Sequence, residues 1–232
     1  MKACFAVRPV FLPGRCGDEP VMTQNVRFRW FPGLALAQQR LSIEALHEQA
    51  LSQHPELGAV LEVSTRSDQP AGRALSAFNL SLKLPRIGLV ALESAYQCAK
   101  VHADGGPWPE LIGQDPMTVR RRLATYRDSP LLGFRLFDQS WPLVPCSLFY
   151  DWIYAHALCS HPDLLEQARA FSAFTDIAFN PKRSLACQAG ALARVIFLLE
   201  RDLLDQALAS PENFRLLAFR APAENKQGEL AF

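Results

Sequence analysis

Polar and apolar residues alternate most clearly over residues 26–31 (VRFRWF), where a period of two predicts a strand with one buried face. Pro32 and Gly33 turn the chain after it. Over residues 37–52 the period lengthens to that of a helix, with Leu41, Ala45, Leu46 and Ala50 facing inward and Pro55 closing the segment. Residues 59–65 (AVLEVST) read as a second strand, and 66–72 as a polar loop. Residues 75–80 form a short apolar run holding one amide, Asn79, which suits a strand edge or a loop lining a pocket. After a link broken by Pro85 and Gly88, residues 92–101 regain helical spacing through Leu92, Ala95, Tyr96 and Ala99.

Gly105, Gly106 and Pro107 break that helix; 118–126 predicts another, and 132–137 a strand. Residues 147–158 are apolar on nearly every side, as in a buried helix, and helical pattern continues over 163–171 after Pro162. Ser184 is placed to cap a long helix from Leu185 to about Leu208, with Leu192, Val195, Ile196 and Leu199 inside. Residues up to about Gln24 are rich in Pro and Gly and read as an extended lead-in. Residues 1–220 are expected to form one domain and 221–232 a flexible C-terminal tail. With no internal repeat and no dividing linker, the fold class is α+β: a single, mainly helical domain with a small sheet.

Composition narrows the function classes. A formal charge of +1 over 232 residues gives no general attraction to a polyanion, so contact with nucleic acid needs a local patch. Arg120–Arg121–Arg122 is the one basic run and reads as the exposed face of a helix. Six cysteines without a C-x-x-C pair suggest reduced thiols, with neither a zinc site nor a disulfide framework. The start, MKACFAVRPVF, is too short and interrupted for a signal peptide, and no apolar run approaches a membrane span. The expected setting is cytoplasmic, with no membrane partner.

Candidate chemistry gathers on the segment 92–101. Glu93, Gln97 and Lys100 stand at i, i+4 and i+7, within about 60° of arc on one helix face. Such a stripe is either a solvated face or the polar wall of a cleft. A second stretch, residues 174–181 (FTDIAFNP), sets Asp176 and Asn180 among aromatics and ends in proline, as a pocket loop would. The nucleotide-binding, zinc-protease and serine-hydrolase signatures are missing from the sequence. Asp151 and His156 read as a structural neighbourhood.

The strings VRFRWFPGLALAQQRLSIEALH, LEVSTRS, LSAFNL, ESAYQCAK, GGPW, WPLVP, FYDWIYAHAL and AFTDIAFNPKRSLACQA, in this order from about Arg8 to about Leu208, resemble the DarT-associated branch of the NADAR family. The wider family's core, a strand with an S-x-F-like element followed by E-x-x-x-Q-x-x-K, is matched by Ser76–Asn79 and by Glu93, Gln97 and Lys100. Where the wider family has a glycine- and tryptophan-rich segment, this chain has FTDIAFNPKRS, a departure that the DarT-associated branch shares. The resemblance implies a NADAR fold and an antitoxin accompanying a DarT-type toxin encoded nearby, in a toxin–antitoxin system of phage defence.

The activity implied is N-glycosidic hydrolysis, removing ADP-ribose from ADP-ribosylated guanine in DNA, with ADP-ribose as product and no metal or other cofactor. In that chemistry Glu93 is the general acid/base. Lys100 either forms a Schiff base with an opened sugar or holds the pyrophosphate as a cation. Asn79, Asp176 and Asn180 orient ribose hydroxyls, Tyr96 or Trp108 stacks on a base, and Phe78, Gln97 and Gln188 complete the ligand-binding set. The alternative is a non-catalytic module that neutralises by binding ADP-ribose or the toxin.

Overall fold

The alternation of Val26 and Phe28 with Arg27 and Arg29 becomes a buried and an exposed face of one strand in the structure, a computed structural model describing residues 4–15, 19–181 and 184–219. Two ten-residue strands come first, β1 (Cys4–Pro13) and β2 (Val21–Trp30), paired antiparallel along their whole length. The Pro- and Gly-rich lead-in is therefore a strand. Helix α1 (Leu36–Gln53) follows and covers the buried face of the hairpin. It lays Ile43, Leu46 and Ala50 against Val10, Val26 and Phe28, while Leu41, expected inside, is exposed. Ser42 takes the inward place because its hydroxyl accepts the Phe31 N–H at 3.0 Å.

The second predicted strand shrinks to β3 (Val60–Glu62). Helix α2 (Pro70–Ala74) leads into turns over residues 75–80, where a strand edge was one expectation, and the chain then forms the hairpin β4 (Ser81–Leu84) and β5 (Gly88–Ala91). Helix α3 (Leu92–Cys98) is shorter than its spacing suggests, because Lys100 opens β6 (Lys100–His102). The glycine return explains the early stop. Gly106, at φ +92°, lies so close that a Cβ there would sit 2.3 Å from the Lys100 carbonyl oxygen. Two residues on, the Trp108 N–H donates to the Cys98 carbonyl at 2.8 Å.

Helix α4 (Pro116–Arg122) starts at Asp115, whose carboxylate accepts the N–H groups of Met117 and Thr118. Strands β7 (Leu131–Leu136) and β8 (Gln139–Trp141) complete a three-stranded sheet in the order β6-β7-β8. Helices α5 (Leu148–Cys159) and α6 (Pro162–Ala168) precede β9 (Ala173–Thr175). The long helix expected from Leu185 is instead α7 (Gln188–Leu199) and α8 (Leu204–Leu208), followed by α9 (Pro211–Ala218). Asp202, at φ +54°, makes the break with a left-handed turn, and Cys187 rather than Ser184 precedes the first turn of α7. The expected tail, 221–232, lies outside the described residues.

The main sheet runs β2-β1-β9-β3, with β9 antiparallel to β1 and parallel to β3. Neighbouring residues of the short strands feed different cores. Val60 and Ala173 join the cluster under α1, whereas Leu61 and Phe174 join the large cluster built on α3, α5 and α7. The architecture is α+β and mainly helical, with its strands divided among three sheets rather than one. Among the described residues no helix is long and apolar enough to cross a membrane.

Tyr154 stands at the centre of the larger core, fully buried, and its hydroxyl donates to the Leu75 carbonyl at 2.8 Å. Tyr154→Phe leaves that carbonyl unpaired in the interior. Thermal denaturation should show a loss of about 1–3 kcal/mol. An unchanged melting temperature would mean that the turn at Leu75 finds another donor.

Candidate functional site

Helix α3 is only seven residues long and is buried on nearly all sides, which takes Glu93 out of water with it. The residue is 8% exposed. Its N–H donates to the Ala77 carbonyl at 2.9 Å, and its Oε1 accepts from the Gln97 amide at 2.9 Å. Arg120 Nε lies 3.8 Å from the same oxygen. Burial raises the Glu93 pKa, while the Gln97 hydrogen bond, Arg120 and Lys100 pull it back. Gln97 thus reaches Glu93 through the helical spacing, whereas Lys100, on a strand, acts on it through its charge.

Lys100 Nζ lies 5.0 Å from the centroid of the Tyr96 ring. Burial lowers its pKa, opposed by the Glu93 charge and assisted by that of Arg120. Acid and amine are each displaced toward the neutral form. Tyr96 itself belongs to the core. Its ring stacks on Phe134 at 5.4 Å and meets Tyr150 edge-on at 4.9 Å, so between these and Lys100 it is enclosed rather than open to a base.

A second acidic centre lies where β3 and β9 run side by side. Glu62 is fully buried and was missed by sequence reasoning, although a lone acid inside AVLEVST was the signal for it. Its carboxylate accepts from the Ser64 hydroxyl at 2.6 Å, the Thr175 hydroxyl at 2.7 Å and the Ile177 N–H at 3.0 Å. Because the Thr175 proton points at Glu62, its oxygen accepts from His47 Nε2 at 2.8 Å. Burial pushes the His47 pKa down to about 4. Burial, with the Asp176 charge adding to it, pushes Glu62 up to about 8. Burial likewise pushes Asp176 up to about 6, against the hydrogen bonds that its carboxylate accepts.

Gln188 joins the two centres. Its Nε2 donates to Asp176 at 3.0 Å, and its Oε1 accepts the Ala77 N–H at 2.9 Å. Ala77 therefore hydrogen-bonds Glu93 through its carbonyl and Gln188 through its N–H. The other expected residues are spread around this line. Phe78 is half-buried beneath the Arg120 guanidinium, 5.7 Å from it. Asn79 is exposed, and its amide donates to the Arg73 carbonyl at 2.8 Å. Trp108 packs on Tyr126 and His102, and the Asn180 carbonyl accepts the Ser184 N–H. Arg120, expected on a solvated face, is half-exposed at the edge of the Glu93 site. Two cavities of about 200 and 180 Å³ lie elsewhere, lined by neither Glu93 nor Lys100.

A family model described as the DarT1-associated NADAR antitoxin matches residues 6–228, nearly the whole chain. The chain belongs to that family. No curated protein matches it. In this NADAR antitoxin the matched span takes in both acidic centres and the Gln188 link between them.

Both Glu62 and Asp176 titrate higher in the folded protein than their ordinary values of 4.5 and 3.8. The fold holds their protons more tightly than the unfolded chain, so their contribution is complete in acid and declines as pH rises. For Glu62 the window runs from 4.5 to about 8, and for Asp176 from 3.8 to about 6. The melting temperature should fall across these windows, less steeply in Glu62→Gln. A wild-type melting temperature rising there would overturn the protonated pair.

Arg120→Gln removes a charge that lowers the Glu93 pKa. The Glu93 carboxyl, followed by carbon-detected NMR, should then titrate at higher pH than in the wild type. An unchanged midpoint would put Arg120 outside the site.

Proposed function

We propose that this NADAR antitoxin is a hydrolase that removes ADP-ribose from guanine bases in DNA, reversing a DarT-type toxin. What supports it best is the match to the DarT1-associated NADAR antitoxin family over residues 6–228; beside it, Glu93 and Lys100 feel one another's charge, and burial displaces the carboxyl upward and the amine downward. A module that only binds gains little from such a pair. A catalyst of glycosidic cleavage can use both, the acid on the leaving amine and the amine on the sugar.

The reaction follows from their chemistry. The bond to be broken joins the ribose anomeric carbon to the exocyclic nitrogen of guanine. As the ribose ring opens, the exocyclic N–H proton passes to the ring oxygen and that carbon becomes double-bonded to the guanine nitrogen. The neutral Lys100 amine adds to the carbon and passes a proton to that nitrogen, and protonated Glu93 delivers a second proton to it as the guanine amine departs. A Schiff base between Lys100 and the sugar results. Water adds to it, Glu93 carboxylate accepts a proton, and ADP-ribose leaves with Lys100 regenerated. One water is consumed for each guanine restored. Arg120, half-exposed beside Glu93, is suited to the pyrophosphate.

Glu93→Gln should reduce release of ADP-ribose from modified DNA by at least about a hundredfold while leaving ADP-ribose binding intact, since general acid–base catalysis contributes on that order. Lys100→Arg should be as damaging as Lys100→Ala, because a guanidinium stays protonated and cannot add to the sugar. Borohydride added during turnover should trap a protein–sugar adduct in the wild type and in neither variant. An active Lys100→Arg enzyme with no adduct would overturn the covalent role. Full neutralisation of the toxin by Glu93→Gln would favour the binding module.

A further inference from the structure

Strand β2 lies at the edge of the main sheet, and the hairpin that it forms with β1 has one covered and one open face. The covered face, through Val10, Val26 and Phe28, lies on α1. On the open face the register sets Phe5 opposite Arg29 and Val7 opposite Arg27. Phe5 and Val7 are 51% and 50% exposed, and both arginines are exposed. Each guanidinium lies over a ring. Arg27 is 4.5 Å from the centroid of Phe5, and Arg29 is 4.8 Å from that of Phe31.

The charge on this face is all of one sign. Neither strand contains an Asp or Glu, and no salt bridge to Arg27 or Arg29 is present among the described residues. Cationic planes beside one exposed ring, Phe5, and one half-buried ring, Phe31, suit a ligand with both phosphates and an unpaired base. The strand that carries Phe5 also leads to the Asp176 centre, through its pairing and its other face. β1 pairs with β9, which runs into Asp176, and Arg8 on β1 donates through Nε to the Ile177 carbonyl at 3.2 Å.

We infer that the open face of the hairpin, at Phe5, Arg27, Arg29 and Phe31, is a platform for single-stranded nucleic acid, with phosphates on the arginines and a base stacked on Phe5. The inference deepens the proposed function by naming how the strand that carries the modified guanine is held. In a duplex the bases are already stacked on one another, so Phe5 has nothing to receive. Val7, beside Phe5, is too small to act as a second stacking ring and leaves room for the backbone to pass.

The test uses an unmodified, fluorescein-labelled single-stranded oligonucleotide, so that binding is read without turnover. Fluorescence anisotropy on the full chain should show binding that weakens with salt. Phe5→Ala should weaken it about tenfold, in line with the loss of one stacked base. Arg27→Ala with Arg29→Ala should lower the slope of log affinity against log salt by about 1.4, the value for two phosphate contacts to a single strand. Phe5→Trp should restore binding, and the paired Arg→Lys changes should restore the slope, which separates the platform from damage to the fold. Duplex of the same sequence should bind more weakly. Wild-type protein that binds no strand, variants that bind as well as wild type, or duplex bound as tightly as single strand would each overturn the platform. Release of ADP-ribose from guanine-modified single-stranded DNA is measured alongside. Its absence in the wild type would overturn the proposed activity and leave the platform standing or falling on anisotropy alone.

Discussion

Keeping charge out of water is the constraint on which the structure depends. Glu62, Glu93, Asp176 and Lys100 are all withdrawn from solvent, and an uncompensated buried ion costs several kcal/mol. Each carboxylate therefore recruits donors, and many of these are backbone. Glu62 takes the Ile177 N–H, Asp176 takes that of Ala178, and Gln188 takes that of Ala77. The turns over 75–80 and the loop after β9 are held by these side chains together with their own backbone bonds, such as Asn79 N–H to the Ser76 carbonyl and Phe179 N–H to that of Asp176.

The two acidic centres differ in access. Glu62 is enclosed by Ser64, Thr175, Ile177 and the His47–Thr175 contact, which suits a rivet between β3 and β9. Glu93 has the half-exposed Arg120 at its edge and a lysine whose charge burial opposes. Glu93 keeps 8% of its surface exposed and Glu62 1%, so Glu93 is the carboxyl that lies nearer the surface.

Local pattern revealed the elements whose burial it encodes. The strand at VRFRWF and the helix after it were legible because their inner faces repeat at two and at 3.6 residues. Leu41 misled, since a serine bonded to Phe31 displaced it from the inner face. β1 was hidden by Pro9 and Pro13, which read as loop although the strand pairs through both positions. Glu62 was illegible as a site because its partners lie 113 residues away on Thr175 and 115 away on Ile177. Arg120 was set aside as part of a basic run, and only the approach of α4 to α3 gives it a carboxylate. The acid and amide of the E-x-x-x-Q-x-x-K spacing are joined as their period suggests, but the amine is not, because Lys100 stands on β6 rather than on α3.

Lys100 is the instructive member. On a helix, adding or deleting a neighbouring residue would swing its amine by about 100° and leave it within reach of nearby groups. On β6, paired to Phe134 of β7, a slip by one residue carries the side chain to the opposite face of the sheet. The amine's position is thus digital rather than graded: one register sets it over the Tyr96 ring and within range of the Glu93 charge, and the next carries it away. The stretch from Cys98 to the Gly105–Gly106 return consequently tolerates changes of residue far more readily than changes of length.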